Sequence, residues 1–254
     1  MRLQLDQVQL QRGQRILNQP FDLRIEDGQC WGILGSNGSG KTTLLHSLAG
    51  LHQDYDGRIS LDGASIGHIP RKQFARQVGL LLQTNEEAFP GSVIETVLTG
   101  RHPHLKAWQW ESEQDRALAR ETLKQVDLAG FEQRNLLTLS GGERRRLYIA
   151  TLLAQQPQLY LLDEPANHLD LRHQHQLLGL LQQLCITQNK TVIMVLHDPN
   201  LAARYCDHVL LLHEEGNVEG GPAEELMSAG RLSHLYGYVI RKVADEQQRL
   251  FVAG

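Results

Sequence analysis

The stretch Gly35-Ser36-Asn37-Gly38-Ser39-Gly40-Lys41-Thr42 restricts the possible folds more than any other in these 254 residues. A glycine, four residues and then Gly-Lys-Thr make a phosphate-binding loop, which works only between a buried strand and the helix that follows it. Both flanks fit. Cys30 to Leu34 is a short, largely apolar run, and Thr43 to Ala49 reads as a helix that Gly50 ends. Glycines let successive N–H groups turn towards an anion with no β-carbon in the way. The helix, entered through Thr43, offers its positive end to the same anion. Lys41 adds a full charge for the β- and γ-phosphates, and the Thr42 hydroxyl is placed to hold Mg²⁺. The loop predicts a nucleoside triphosphate site on an α/β sheet.

The rest of the chain supplies that sheet. Leu3, Leu5, Val8 and Leu10 mark a half-exposed antiparallel strand, and Arg15 to Ile25 reads as further strand. After a short strand near Tyr55 to Leu61, Val78 to Leu82 is a buried run that ends in Gln83. The texture then changes: Ser92 to Gly100, Glu111 to Val126 and Ser140 to Gln155 all read as helices. Strands and helices alternate again from Leu159, with strands at 159–162, 191–196 and 209–212, and helices at 172–188 and from Asn200. This pattern predicts an α/β fold with a phosphate-loop NTPase core, a parallel sheet joined to an antiparallel β part. Residues 1–83 and 157–220 form the core, 84–156 an inserted α-helical subdomain, and 221–254 a polar, mixed tail.

Composition narrows the partners. A net charge of −4 and a pI near 6.3 give no basic footprint for nucleic acid. No signal-like block opens the chain, and its apolar runs are strand-sized, so a cytoplasmic protein is expected. Cys30, Cys185 and Cys206 lack metal-ligand spacing and suggest buried thiols in a reducing compartment. The histidines lack the companions of a zinc site.

Three further constellations point at the phosphates. The strand Leu159 to Leu162 ends in Asp163 and Glu164. Asp163 would complete the Mg²⁺ shell opposite Thr42, and Glu164 would orient and deprotonate the attacking water. A solvated acidic turn is the simpler reading of the pair taken alone. Ser140-Gly141-Gly142-Glu143 is a capping box whose two glycines leave the first amides bare, a second helix start suited to an anion. A helix that needed only its cap would not gain from paired glycines. His197, at the end of another strand, could reach the γ-phosphate, and Gln83 the Mg²⁺ or the water. Arg144 to Arg146 reads as a solvated or pairing helix face; Trp108 and Trp110 could line a docking groove, but core packing is expected for at least one of them.

In this order GSNGSGKT, Gln83, LSGGE, LLDEP, Asn167-His168-Leu169-Asp170 and His197 resemble the motifs of an ATP-binding-cassette ATPase over nearly the whole chain. The resemblance implies binding of ATP with Mg²⁺ and a head-to-tail dimer in which the signature Ser140 to Glu143 closes over the partner's ATP. Asp170 would lie at the seam. It also implies two transmembrane permease subunits, a substrate-binding protein acting indirectly, and a peripheral place at the cytoplasmic face of the inner membrane. One departure is Arg12, which stands where the family places an aromatic residue against adenine; a guanidinium plane can stack there instead. VLTGRHPH (97–104), EPANHLD (164–170) and LYGYVIR (235–241) look like importer ATPases for iron-siderophores, haem and cobalamin. The stretch His197 to Asp207 and the two tryptophans lean towards cobalamin.

Overall fold

Strands with one buried face and strands with two sort this chain into two sheets. The computed structural model describes residues 1–83, 91–244 and 249–254. β1 (Leu3–Arg12) buries Leu3, Leu5, Val8 and Leu10, so its inward face skips one residue between Leu5 and Val8. A β-bulge takes up the extra residue, with Gln7 in the left-handed region at φ 49°. Opposite it Gly57 has to be glycine, since an added Cβ would lie 2.2 Å from Gln7 O. β1 pairs antiparallel with β2 (Arg15–Ile16), β3 (Phe21–Ile25) and, after β4 (Cys30–Gly35) and α1 (Lys41–Leu48), with β5 (Tyr55–Leu61), which carries β6 (Ala64–Ser65). The strand expected from Arg15 to Ile25 is therefore broken. Asn18 turns its amide inward, accepting from Leu10 N (2.9 Å) and donating to Val8 O (3.0 Å), and so replaces strand pairing there.

The second sheet holds the chemistry. After α2 (Arg71–Gln77) come β7 (Val78–Leu81), α3 (Val93–Thr99), α4 (Glu113–Gln125), α5 (Gly141–Gln155), β8 (Leu159–Asp163), α6 (Leu171–Gln188), β9 (Thr191–Val195), α7 (Pro199–Tyr205), β10 (His208–Leu212) and β11 (Val218–Pro222). The order is β11-β10-β4-β9-β8-β7, parallel except for β11. Every residue of β4, β8 and β9 is buried, as central parallel strands require. The phosphate loop, Gln83, Glu164 and His197 all follow the carboxyl ends of β4, β7, β8 and β9, so one sheet edge gathers them.

Helices α3, α4 and α5 pack on one another, and each opens on a serine capping box: Ser92 with Glu95, Ser112 with Asp115, Ser140 with Glu143. The start expected for this part, at residue 84, lies outside the described residues. Asp115 also accepts from Arg101 Nε at 2.8 Å. The Ser112 hydroxyl, then Arg101, hold its carboxyl down to about 2. Because the folded value lies below the unfolded one, its stabilisation is present above the ordinary carboxylate range and lost as pH falls towards 2. Asp115→Asn is expected to cost about 1 kcal/mol at neutral pH, with the difference from wild type closing in acid unfolding curves below pH ~4.

The tail is more ordered than its polar sequence suggests. It contains α8 (Ala223–Leu226), α9 (Ala229–Tyr236) and a hairpin of β12 (Ile240–Ala244) and β13 (Arg249–Ala253). Leu232, Leu235 and Phe251 join the main core, and Asn200 exchanges hydrogen bonds with the Phe251 backbone (3.0 and 2.7 Å). The tryptophans behave against expectation. Trp108 is 100% and Trp110 86% exposed, because the segment between His104 and the α4 cap runs outside the core with no element of the described residues over it.

Candidate functional site

The loop after β4 is shaped by steric need. An added Cβ at Gly35 would lie 2.5 Å from Leu212 O, and Gly40 (φ 100°) opens α1 with no side-chain cap, which leaves the first helical amides for an anion. Lys41 is 6% exposed, and its Nζ donates to Gly35 O (2.8 Å) and Ser36 O (2.7 Å). Burial lowers its pKa, opposed by Glu164 and Asp163. The buried Ser36 and Ser39 hydroxyls have no hydrogen-bond partner among the described residues. A cavity of about 650 Å³ opens here, lined by Asn37, Gly38, Gly40, Lys41, Thr42, Thr43, Gln83, Glu164 and His197. Its far wall is Leu17 with Arg12 and Arg15, which face each other across β1 and β2.

Two carboxylates stand behind the cavity in different states. Asp163 is fully buried, and among the described residues neither carboxylate oxygen has a partner of full hydrogen-bond geometry, though the Thr42 hydroxyl lies beside it. Burial pushes its pKa up, the Thr42 hydroxyl pulls it down, and the neighbouring Glu164 raises it again. A buried carboxylate without a donor, beside a threonine hydroxyl, is a donor set suited to Mg²⁺. Glu164 is 8% exposed and sits at φ 49°, a left-handed backbone rare for this residue type. Its Oε1 meets His197 Nε2 at 2.5 Å, and its Oε2 accepts from Gln83 Nε2 at 2.9 Å and from Asn167 Nδ2. Gln83, expected at the Mg²⁺ or the water, and His197, expected at the γ-phosphate, here both bond to Glu164. A carboxylate fixed by three side chains beside a phosphate loop can take a proton from a water at the γ-phosphate.

The other expected site residues lie elsewhere on the chain. None of Ser140, Gly141, Gly142, Glu143 and Asp170 lines the cavity. Ser140 and Glu143 close their capping box (Ser140 N to Glu143 Oε2, 2.7 Å; Glu143 N to Ser140 Oγ, 3.3 Å), which holds the Glu143 carboxyl below its usual range. A Cβ at Gly142 would come within 3.3 Å of His168 O, so the turn sits against the segment that leads to Asp170. Asp170 caps α6 by accepting from His173 N at 2.9 Å.

Sequence reasoning missed four residues. Arg15 and Leu17 reach the cavity because the β1–β2 turn folds back beside the loop, a placement that no local pattern announces. Asn167, three residues after Glu164, returns to it through a turn (Asn167 N to Glu164 O, 3.2 Å), and that spacing was an available signal. Arg145, within the run expected to be solvated or pairing, is buried at 7% exposure. Arg146 does pair, donating to the carbonyls of Val126 and Asp127 at the end of α4 (2.9 Å each).

Comparison with known proteins gives the family and the fold. Residues 18–167 match the family described as ABC transporter. The petrobactin import ATP-binding protein FpuD of Bacillus anthracis is 38% identical over 89% of this chain and 82% of its own. The ferric enterobactin transport ATP-binding protein FepC of Escherichia coli is 36% identical (93% and 87%), and the hemin import ATP-binding protein HmuV of Burkholderia ambifaria 34% (91% and 92%). Among solved structures, the bacterial ABC transporter cassette MJ0796, a dimer, superposes with a TM-score of 0.76 at 26% identity over 87% of this chain and 98% of that one.

Proposed function

The chain belongs to the ABC transporter family as an ATP-hydrolysing cassette, and we propose that it powers import of an iron chelate through partner membrane subunits. The observation that carries the substrate class is the 34–38% identity, across most of both chains, to proteins named for petrobactin, ferric enterobactin and hemin. The cobalamin lean read from 197–207 and the tryptophans has no such support. Among the described residues no helix is long and apolar enough to cross a membrane. In this reading the permease supplies the spans and holds the cassette at the inner face.

In the proposed cycle, the amides of the loop and Lys41 hold the β- and γ-phosphates, and Arg12 and Arg15 face the base and sugar. Asp163 and Thr42 would hold Mg²⁺, which when bound offsets the charge on the phosphates. Glu164, fixed by Gln83, His197 and Asn167, removes the proton from the attacking water. Two copies pair head to tail, as MJ0796 is a dimer, and each closes the other's site with Ser140 to Glu143 while Asp170 lies at the seam. ATP drives closure only through contacts made better in the closed dimer.

The exposed Trp108 and Trp110, with Lys72 and Lys106 beside them, form the groove we assign to the permease. In vesicles carrying the cognate permease and binding protein, ATPase activity should rise with ferric siderophore or haem and not with cobalamin. Trp108→Ala/Trp110→Ala should weaken permease binding by about tenfold or more, since buried tryptophans dominate interfaces. Stimulation by cobalamin alone would overturn the substrate reading.

A further inference from the structure

We infer that Arg145 is a positioning residue that fixes Gln83 and Glu164 for hydrolysis and ties them to the signature helix. It lies in the first turn and a half of α5, two residues after the capping box. Its side chain runs inward to the carboxyl ends of β7 and β8, which are neighbours in the sheet. There Nη1 donates to Leu82 O (2.6 Å) and Gln83 O (3.4 Å), Nη2 to Asp163 O (2.5 Å) and Glu164 O (2.9 Å), and Nε to Pro165 O (3.3 Å). Every N–H of the guanidinium is used, and every acceptor is a main-chain carbonyl.

Strand ends leave carbonyls that water usually satisfies; here one planar fork takes five of them, and its bonds to Asp163, Glu164 and Pro165 are buried. The consequence is mechanical. Two of the five belong to Gln83 and Glu164, whose side chains bond to each other at 2.9 Å, and Glu164 holds its strained φ of 49° between two of the others. A shift of α5, whose first turn carries Ser140 to Glu143, must move these carbonyls or break their bonds. Docking of the signature turn at one nucleotide is thereby registered at the water-activating residues of the other. A lysine would keep the charge but not the fork, and could satisfy three of the five acceptors at most.

This rests on Glu164 and Gln83 serving hydrolysis. The test compares Arg145→Lys and Arg145→Gln with wild type, with rates expressed per bound ATP so that unfolded molecules drop out. Ser112→Ala, which removes the cap of α4 away from the site, is the structural control. The expected result is a fall in kcat of about 10- to 100-fold, ATP affinity within about twofold, and loss of cooperativity in ATP, because small displacements of catalytic groups cost that much. Arg145→Lys is expected to retain more activity than Arg145→Gln. Wild-type kcat and cooperativity per bound ATP in both variants would overturn the inference, as would failure of both to bind ATP, which would leave Arg145 a folding role only. A turning-over Glu164→Gln variant would strike the underlying reading instead, whereas normal Arg145→Lys and Arg145→Gln variants beside a dead Glu164→Gln strike this inference alone.

Discussion

Glu164→Gln is expected to lower kcat for ATP hydrolysis by about 10²- to 10⁴-fold while ATP affinity stays within about twofold. The substitution keeps the volume of a side chain that is only 8% exposed and removes the proton acceptor. It does not touch the loop amides or Lys41, on which binding depends in our proposal. Asn167 and Gln83 both donate to Oε2, so a glutamine that places its carbonyl oxygen there keeps those two bonds and turns its NH2 towards His197 Nε2. With binding intact and turnover blocked, the ATP-loaded dimer should accumulate, visible as a shift to twice the monomer mass on gel filtration with ATP. Near-normal turnover would remove Glu164 from its role.

What the sequence made legible follows from the range of the interactions involved. Elements with strong local signals came through almost to the residue. The runs that became β8 and β9 are apolar throughout, and the three serine-capped helices announce their own starts. The phosphate loop and the acids at the end of β8 were legible because each is a short segment with its chemistry built in. What failed depends on distant partners. Asn18 breaks an apparently continuous strand because β1 offers it two backbone groups. The tail looks polar because its few apolar residues, such as Leu232, Leu235 and Phe251, are spaced to meet a core supplied by other elements. Arg145 reads as surface charge because nothing nearby in sequence reveals that five carbonyls await it. The tryptophans fail in the opposite sense, since a hydrophobic residue read as core assumes that its own chain must cover it.

Ser140→Phe tests the half of the proposal that concerns two chains. The variant is expected to bind ATP as a monomer within about twofold of wild type and to lose hydrolysis by about 10²- to 10³-fold, the scale for removing preorganised donors from a developing charge. Part of any effect will be structural, because Ser140 caps α5 and loss of a cap costs about 1 kcal/mol. Ser112→Ala removes an equivalent cap from α4 and should hydrolyse ATP normally. A subtler confusion comes from Arg145, which gives α5 a route to Glu164 inside one chain. Mixing separates the two routes. A Ser140→Phe chain paired with a Lys41→Ala chain places both defects in one composite site and leaves the other site with an intact loop and an intact signature turn. If the sites are shared, two inactive proteins should regain up to about a quarter of wild-type activity on equal mixing, since half the dimers are mixed and each has one sound site of two. If Ser140 acts only within its own chain, the mixture stays dead, because the chain with a working loop still carries the damaged helix.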